Sequence, residues 1–194
     1  MRPARFELVE DRRAIIDRRA LSERIGGVPK GARAEIGAIL ADALAAGRAE
    51  IAGRLAREPA RGRMAAACYA FLTDQLLRLA FDAAASHLVS KPPKNGIALV
   101  GLGGTGRGEM APFSDVDLLF LVVDPKDCGT AELIEATLYL LWDLDWKVGH
   151  AVRDGDALIA LARADISIRT AFLEARWIWG DEQLYDARDR KSVV

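Results

Sequence analysis

The link between two apolar segments limits the fold of this chain more than any other feature. Residues 97–123 read IALVGLGGTGRGEMAPFSDVDLLFLVV: an apolar run ending in glycines, a short link, and a second apolar run. Both runs have the length and aliphatic content of buried strands. Parallel neighbours would need a crossover of a dozen or more residues, usually a helix. Only the eight residues 107–114 intervene, and Pro112 interrupts them. The spacing therefore predicts two antiparallel strands, with the start of the second beside the glycines that end the first. Asp115 and Asp117 fall at that start, next to Gly103, Gly104 and Arg107.

Three glycine motifs compete for this stretch. A phosphate-binding Walker A loop needs Gly-Lys followed by Ser or Thr, where this chain has Gly106, Arg107 and Gly108. A dinucleotide fingerprint is matched on paper by Gly101, Gly103 and Gly106, with Asp124 about 20 residues on. It fails because no crossover helix fits before the next strand. What stands is the glycine loop beside two carboxylates. Residues two apart on a strand share a face, about 6.5 to 7 Å apart, so Asp115 and Asp117 can share one or two hard cations. Glycines let the backbone approach a triphosphate, turn amides bind its oxygens, and Mg²⁺ on the aspartates neutralises charge and aligns an attacking hydroxyl. A plain tight turn and solvated strand-end carboxylates are the bland alternatives, and the spacing between loop and carboxylates counts against both.

The flanking segments divide near Pro92-Pro93 into a helical region, residues 1–93, and a core of strands and helices, residues 94–194. Ile36, Leu40, Leu44, Ile51 and Leu55 mark one amphipathic helix, and Leu72, Leu76, Leu79 and Ala83 mark another over residues 62–89, the two pairing around Glu58-Pro59. Residues 1–30 have weaker periodicity and read as a loosely docked arm. Strands are expected over 97–102, 115–123 and 147–153, with a helix over 130–142 between the last two. A short helix follows over 156–163, then a second with the stripe Ile168, Phe172, Ala175 and Trp179, stopped by Gly180. The expected class is α+β: a helical N-terminal part followed by a small mixed sheet flanked by helices.

Charge excludes some partners. The 194 residues carry 27 Lys and Arg against 28 Asp and Glu, so there is no cationic excess to hold a phosphate backbone, and nucleic acid is not expected as a partner. No apolar run approaches the roughly 20 residues that span a bilayer, and residues 1–10 are charged where a signal peptide is apolar, so a cytoplasmic protein without a membrane partner is expected. Cys68 and Cys128 have no CxxC spacing and read as reduced packing residues.

Gly103-Gly104, ten intervening residues, and Asp115-Val116-Asp117 resemble the signature of the DNA polymerase beta-like nucleotidyltransferase superfamily. More specifically, GGTGRGEMAPFSDVDLLFL is similar to the uridylyltransferases that modify the PII nitrogen-signalling protein. FLTDQLLRLAFD at 71–82, LLWDLDWKVGHAVRD at 140–154 and RTAFLEARWIWGD at 169–181 extend the likeness over roughly residues 35–186. The resemblance implies a polymerase beta-like fold and transfer of UMP from UTP to a tyrosine hydroxyl of PII, with pyrophosphate leaving. It implies that Asp115 and Asp117 carry Mg²⁺ and that Gly103 and Gly104 cradle the triphosphate. Ser114 stands beside them as a further nucleotide contact, and Arg107 is, on its chemistry, either a phosphate ligand or a surface ion-pair partner.

Many superfamily members add a third carboxylate from a later strand, yet residues 147–153 contain none, and Asp143, Asp145 and Asp154 flank them without the spacing selecting one. His150 on that strand reads as packed between Val148 and Val152 rather than as a base, and Trp142, Trp146, Trp177 and Trp179 as structural mass rather than a stack for uracil. Long family members continue into an HD-type phosphohydrolase and paired ACT domains. The resemblance therefore implies an N-terminal fragment in which UMP removal and glutamine sensing are not expected. A catalytically idle nucleotide-binding module, or transfer of another base such as adenylyl, is the competing expectation.

Overall fold

Side chains in the computed structural model follow the hydrophobic periods of the sequence closely in the helical half, less so near the end of the chain. The structure describes residues 6–93 and 96–192, residues 167 and 188–192 by their backbone alone. The long helices are α3, Arg33–Arg57, and α4, Gly62–Ala83, which a π-helical turn extends over Ala84–Leu88. Their stripes meet as expected: Ile36, Leu40, Ile51, Leu72 and Leu76 are all essentially inaccessible to solvent. At Gly47 a Cβ would stand 2.6 Å from a methyl of Leu72, so the absent side chain lets α3 and α4 approach.

Residues 6–30 do not form a loose arm. Residues 1–5 lie outside the described residues, but α1, Arg12–Ile15, and α2, Arg18–Gly26, dock on the pair, burying Val9, Ile15, Ile16 and Ile25. Phe6 meets the ring of Phe71 edge-on at 5.4 Å, and Arg54 donates to the carbonyls of Glu10 and Asp11. The weak periodicity arises because the docking residues sit on two short turns rather than on one helical stripe.

Among the described residues four strands, β1 (Ile97–Gly101), β2 (Val116–Val122), β3 (Val148–Asp154) and β4 (Arg176–Gly180), form one mixed sheet in the order β3-β2-β1-β4. β1, Ile97–Gly101, pairs antiparallel with β2, Val116–Val122, as the short link requires. After β2, helix α6, Cys128–Trp142, supplies the crossover to β3, Val148–Asp154, which lies parallel to β2. Val116, Leu118, Phe120 and Val122 alternate toward the helical pair, and Leu119 and Leu121 toward the opposite face. One apolar core thus runs from α2, α3 and α4 through that face of the sheet. Cys68 lies in this core, whereas Cys128 is exposed at the start of α6 rather than packed in it. Among the described residues no helix is long and apolar enough to cross a membrane.

The end of the chain departs from the sequence reading. The expected helix through Trp179 divides into α8, Ile166–Leu173, and a strand, β4, Arg176–Gly180, after α7, Gly155–Ala164. Strand β4 pairs antiparallel with β1, and the helix α9, Glu182–Ser192, follows. A helix there would leave the outer edge of β1 with unpaired amides and carbonyls, while Trp177, Ile178 and Trp179 suit a pleated surface. Gly180 ends a strand, not a helix: its φ is +83° and a Cβ would lie 2.4 Å from the carbonyl oxygen of Ile97.

Asp82 on α4 accepts a 2.6 Å bond from the indole Nε1 of Trp179. Burial pushes its carboxyl above the ordinary value of 3.8, against the Trp179 bond and the nearby Arg18 and Arg78. The folded state thus favours the proton, so stability contributed here falls as pH rises from about 3.8 through the raised value. Asp82→Asn keeps the acceptor and removes the charge. Its stability relative to wild type is expected to be greater at pH 7 than at pH 4, measured as urea midpoints at both pH values.

Candidate active site

The glycines after β1 form a single short helix, α5, Gly103–Arg107, closed by Gly108 at φ +73°. Two bonds fasten it to β2: the Leu102 N–H donates to the carbonyl of Asp117 at 3.0 Å, and the Asp117 N–H donates to the Thr105 hydroxyl at 3.3 Å. The carboxylate of Asp117 therefore sits over the loop. A Cβ at Gly103 would stand 3.2 Å from its Oδ2, at a φ of +51° that already favours glycine. On the other side β3 places Gly149 directly opposite Asp117, and a Cβ there would lie 2.7 Å from Oδ1. The space around this carboxylate exists because both flanking residues lack side chains.

Asp115 stands one residue ahead of β2, exposed, and Asp117 is the exposed second residue of the strand. Among the described residues neither is ion-paired with a Lys, Arg or His side chain. Two carboxylates two residues apart, with no cationic partner among the described residues, suit a hard divalent ion. Mg²⁺ typically takes one or two carboxylates and completes its shell with water and substrate phosphates. The donor set fits that ion. Among the described residues no three His, Cys, Asp or Glu side chains gather as a metal-binding group.

Among the described residues none of the candidates for a third carboxylate forms a group of three with Asp115 and Asp117. Asp154 lies opposite Val122, at the far end of β2, and its side chain caps α7 through the Ala157 N–H at 2.8 Å. Asp143 pairs with Arg33 at 3.2 Å, and Asp145 forms a left-handed turn at φ +57°. Arg107 is held by Glu174 in a 2.5 Å ion pair, so the surface ion-pair reading describes its position here. Ser114 closes its own turn, its hydroxyl accepting the Ala111 N–H at 3.1 Å, next to Phe113, which lies at φ +62° under the Arg48 guanidinium. His150 is exposed rather than packed, meeting the ring of Trp142 at 6.5 Å, and Trp142 is itself 45% exposed.

One residue that composition and spacing pass over shapes the loop. Arg176, buried on β4, makes a two-pronged ion pair with Asp74 of α4 and donates to the carbonyls of Thr105 and Gly106. A lone arginine in an apolar strand is a signal that sequence alone can flag, since buried arginines are rare unless paired. Its partner, 102 residues away, is not legible.

The cradle around Asp117 gives a direct expectation. Gly149→Ala places a methyl where Oδ1 now lies, on an exposed position of an edge strand, so the carboxylate must turn while the backbone stays. For a site that takes a metal-bound nucleotide, a loss of at least tenfold in that affinity is expected, with a melting temperature within about 3 °C of wild type. Titration calorimetry and a thermal melt check the two parts.

No family model matches the chain. It is 42% identical over 190 residues to a bifunctional uridylyltransferase/uridylyl-removing enzyme of Novosphingobium aromaticivorans, covering 92% of this chain and 20% of that one. The enzyme of the same description from Rhodospirillum rubrum is 40% identical over 182 residues, covering 89% and 19%. That from Ruegeria pomeroyi is 43% identical over 162 residues, covering 82% and 18%. The chain spans about a fifth of the length of the relatives it matches.

Proposed function

We propose, for a chain that belongs with the bifunctional uridylyltransferase/uridylyl-removing enzymes and corresponds to one segment of them, that it is their Mg²⁺-dependent nucleotidyl-transfer unit. It moves UMP from UTP to a tyrosine hydroxyl of the PII signal protein. The tyrosine oxygen bonds to the α-phosphorus, the bond from that phosphorus to the oxygen bridging to the β-phosphate breaks, the hydroxyl proton is released, and pyrophosphate departs. The observation that carries this reading is the carboxylate of Asp117 lodged between Gly103 and Gly149, at the mouth of the glycine loop.

In this reading Gly103 and Gly104 let the backbone approach the triphosphate, and the amides that open α5 have no carbonyl within the helix to bind. Asp115 and Asp117 would hold Mg²⁺, which would offset the phosphate charge and help align the attacking oxygen. Ser114 lies beside the pair as a nucleotide contact. Arg107 reaches a phosphate only by leaving Glu174, which is inexpensive for an exposed pair. The protein works in the cytoplasm, with UTP and PII as partners and without nucleic acid or membrane.

The test is titration calorimetry of UTP, ATP and CTP with Mg²⁺, followed by a pyrophosphate-release assay with PII. Preferential UTP binding and PII-dependent release support the reading. Nucleotide binding without release identifies an idle module, and preference for ATP or CTP replaces the base. No binding of any nucleotide at millimolar concentration overturns it.

A further inference from the structure

We propose that the buried Asp74–Arg176 pair is a positioning device for the glycine loop, with Arg176 setting the loop's fit to the triphosphate. This rests on the reading that the loop takes the triphosphate. The two side chains are 1% and 3% exposed. Arg176 Nη1 donates to Asp74 Oδ2 at 2.6 Å and Nη2 to Oδ1 at 2.9 Å, so the carboxylate orients the guanidinium plane. The remaining edge faces α5: Nη2 donates to the Thr105 carbonyl at 2.7 Å and Nε to the Gly106 carbonyl at 3.1 Å.

A helix of five residues cannot satisfy its own last carbonyls. Arg176 takes two of them into the interior, and because N–H and C=O point in opposite directions along a helix, the amides that open the loop are turned the other way. Thr105 links this anchor to the carboxylate site, since its hydroxyl accepts the N–H of Asp117. Loop, strand and helical half are thereby held in one relation by a single guanidinium. A buried ion pair commonly adds little stability over apolar residues of similar size. Its effect here is geometric: lysine, with a point charge and no planar fork, cannot hold Asp74 and both carbonyls together.

The experiment uses three variants. Asp74→Leu/Arg176→Met removes the pair without stranding a charge, Arg176→Lys keeps the charge without the fork, and Leu76→Ala weakens the same helix at a fully buried core position on the opposite side of α4 from Asp74. Two quantities are read: hydrogen exchange of residues 101–110 without nucleotide, and the Kd for Mg²⁺–UTP. The double variant is expected to exchange at least tenfold faster in the loop and to bind at least tenfold more weakly, with unchanged far-UV circular dichroism. Arg176→Lys should fall between it and wild type, and it carries the test if the double variant does not fold. Leu76→Ala should lower the melting temperature and move neither quantity. Wild-type loop exchange and Kd in the double variant overturn the proposal, as does equal weakening by Leu76→Ala. Faster loop exchange in a protein whose wild type binds no nucleotide removes the triphosphate reading and this role with it, whereas wild-type binding with an unaltered double variant removes only the positioning role.

Discussion

Asp117→Asn is expected to lower PII-dependent pyrophosphate release about 10³-fold, the several kcal/mol that a metal-held charge supplies in the transition state. Asparagine keeps the shape of the side chain and loses the anionic oxygen that faces the loop. Little fold stability should change, because the side chain is exposed and no basic side chain among the described residues pairs with it. The contacts that place the residue are made by its backbone, through Leu102 and Thr105, and these survive the substitution. Steady-state rates over a range of Mg²⁺ concentrations, beside a thermal melt, check the expectation. A loss below tenfold would exclude Asp117 as a metal ligand. Wild-type hydrogen exchange over residues 101–110 with a large rate loss separates this result from the Arg176 variants, which act through the loop.

Gly106→Ala is expected to cost about 3 kcal/mol, near the upper end for overpacking a filled site, and to lower the melting temperature by about 6 to 12 °C. A Cβ at Gly106 would stand 2.2 Å from the carbonyl oxygen of Glu174 and 2.9 Å from that of Gly101. Both obstacles are backbone, so neither can swing aside as a side-chain tip does. The loop would have to leave β4, taking with it the Gly106 carbonyl that Arg176 holds. This glycine completes the pattern that mimics a dinucleotide fingerprint. Its role is close packing of the loop against the segment before β4. Urea denaturation monitored by circular dichroism gives the stability loss, and a change below 1 kcal/mol would show that the loop has room to shift.

The comparison of these positions shows which parts of the site are local. Gly103 and Asp117 lie within one short stretch, and the spacing alone places them together. Gly149 faces Asp117 only because β3 lies parallel to β2 in this register, after a helical crossover. A slip of one residue would turn a side chain of β3 to the other face, and no pattern in residues 147–153 announces which register is taken. The stripe from Ile168 to Trp179 has helical spacing, and Phe172 and Ala175 do pack in one cluster. The strand within it forms because the edge of β1 needs a partner, a demand that comes from elsewhere in the chain.

By itself the sequence determined that β1 and β2 are antiparallel and that the glycine loop meets Asp117, since eight residues with a proline cannot cross a sheet. It determined the helical pair as well, through apolar stripes whose period is intrinsic to the helix. Tertiary structure alone decided that Arg176 reaches Asp74, that Glu174 takes Arg107, and that Asp154 caps a helix instead of joining the carboxylates. Chain connectivity restricts what lies a few residues apart to very few geometries. Partners a hundred residues apart are chosen by how whole elements pack, which no local spacing encodes.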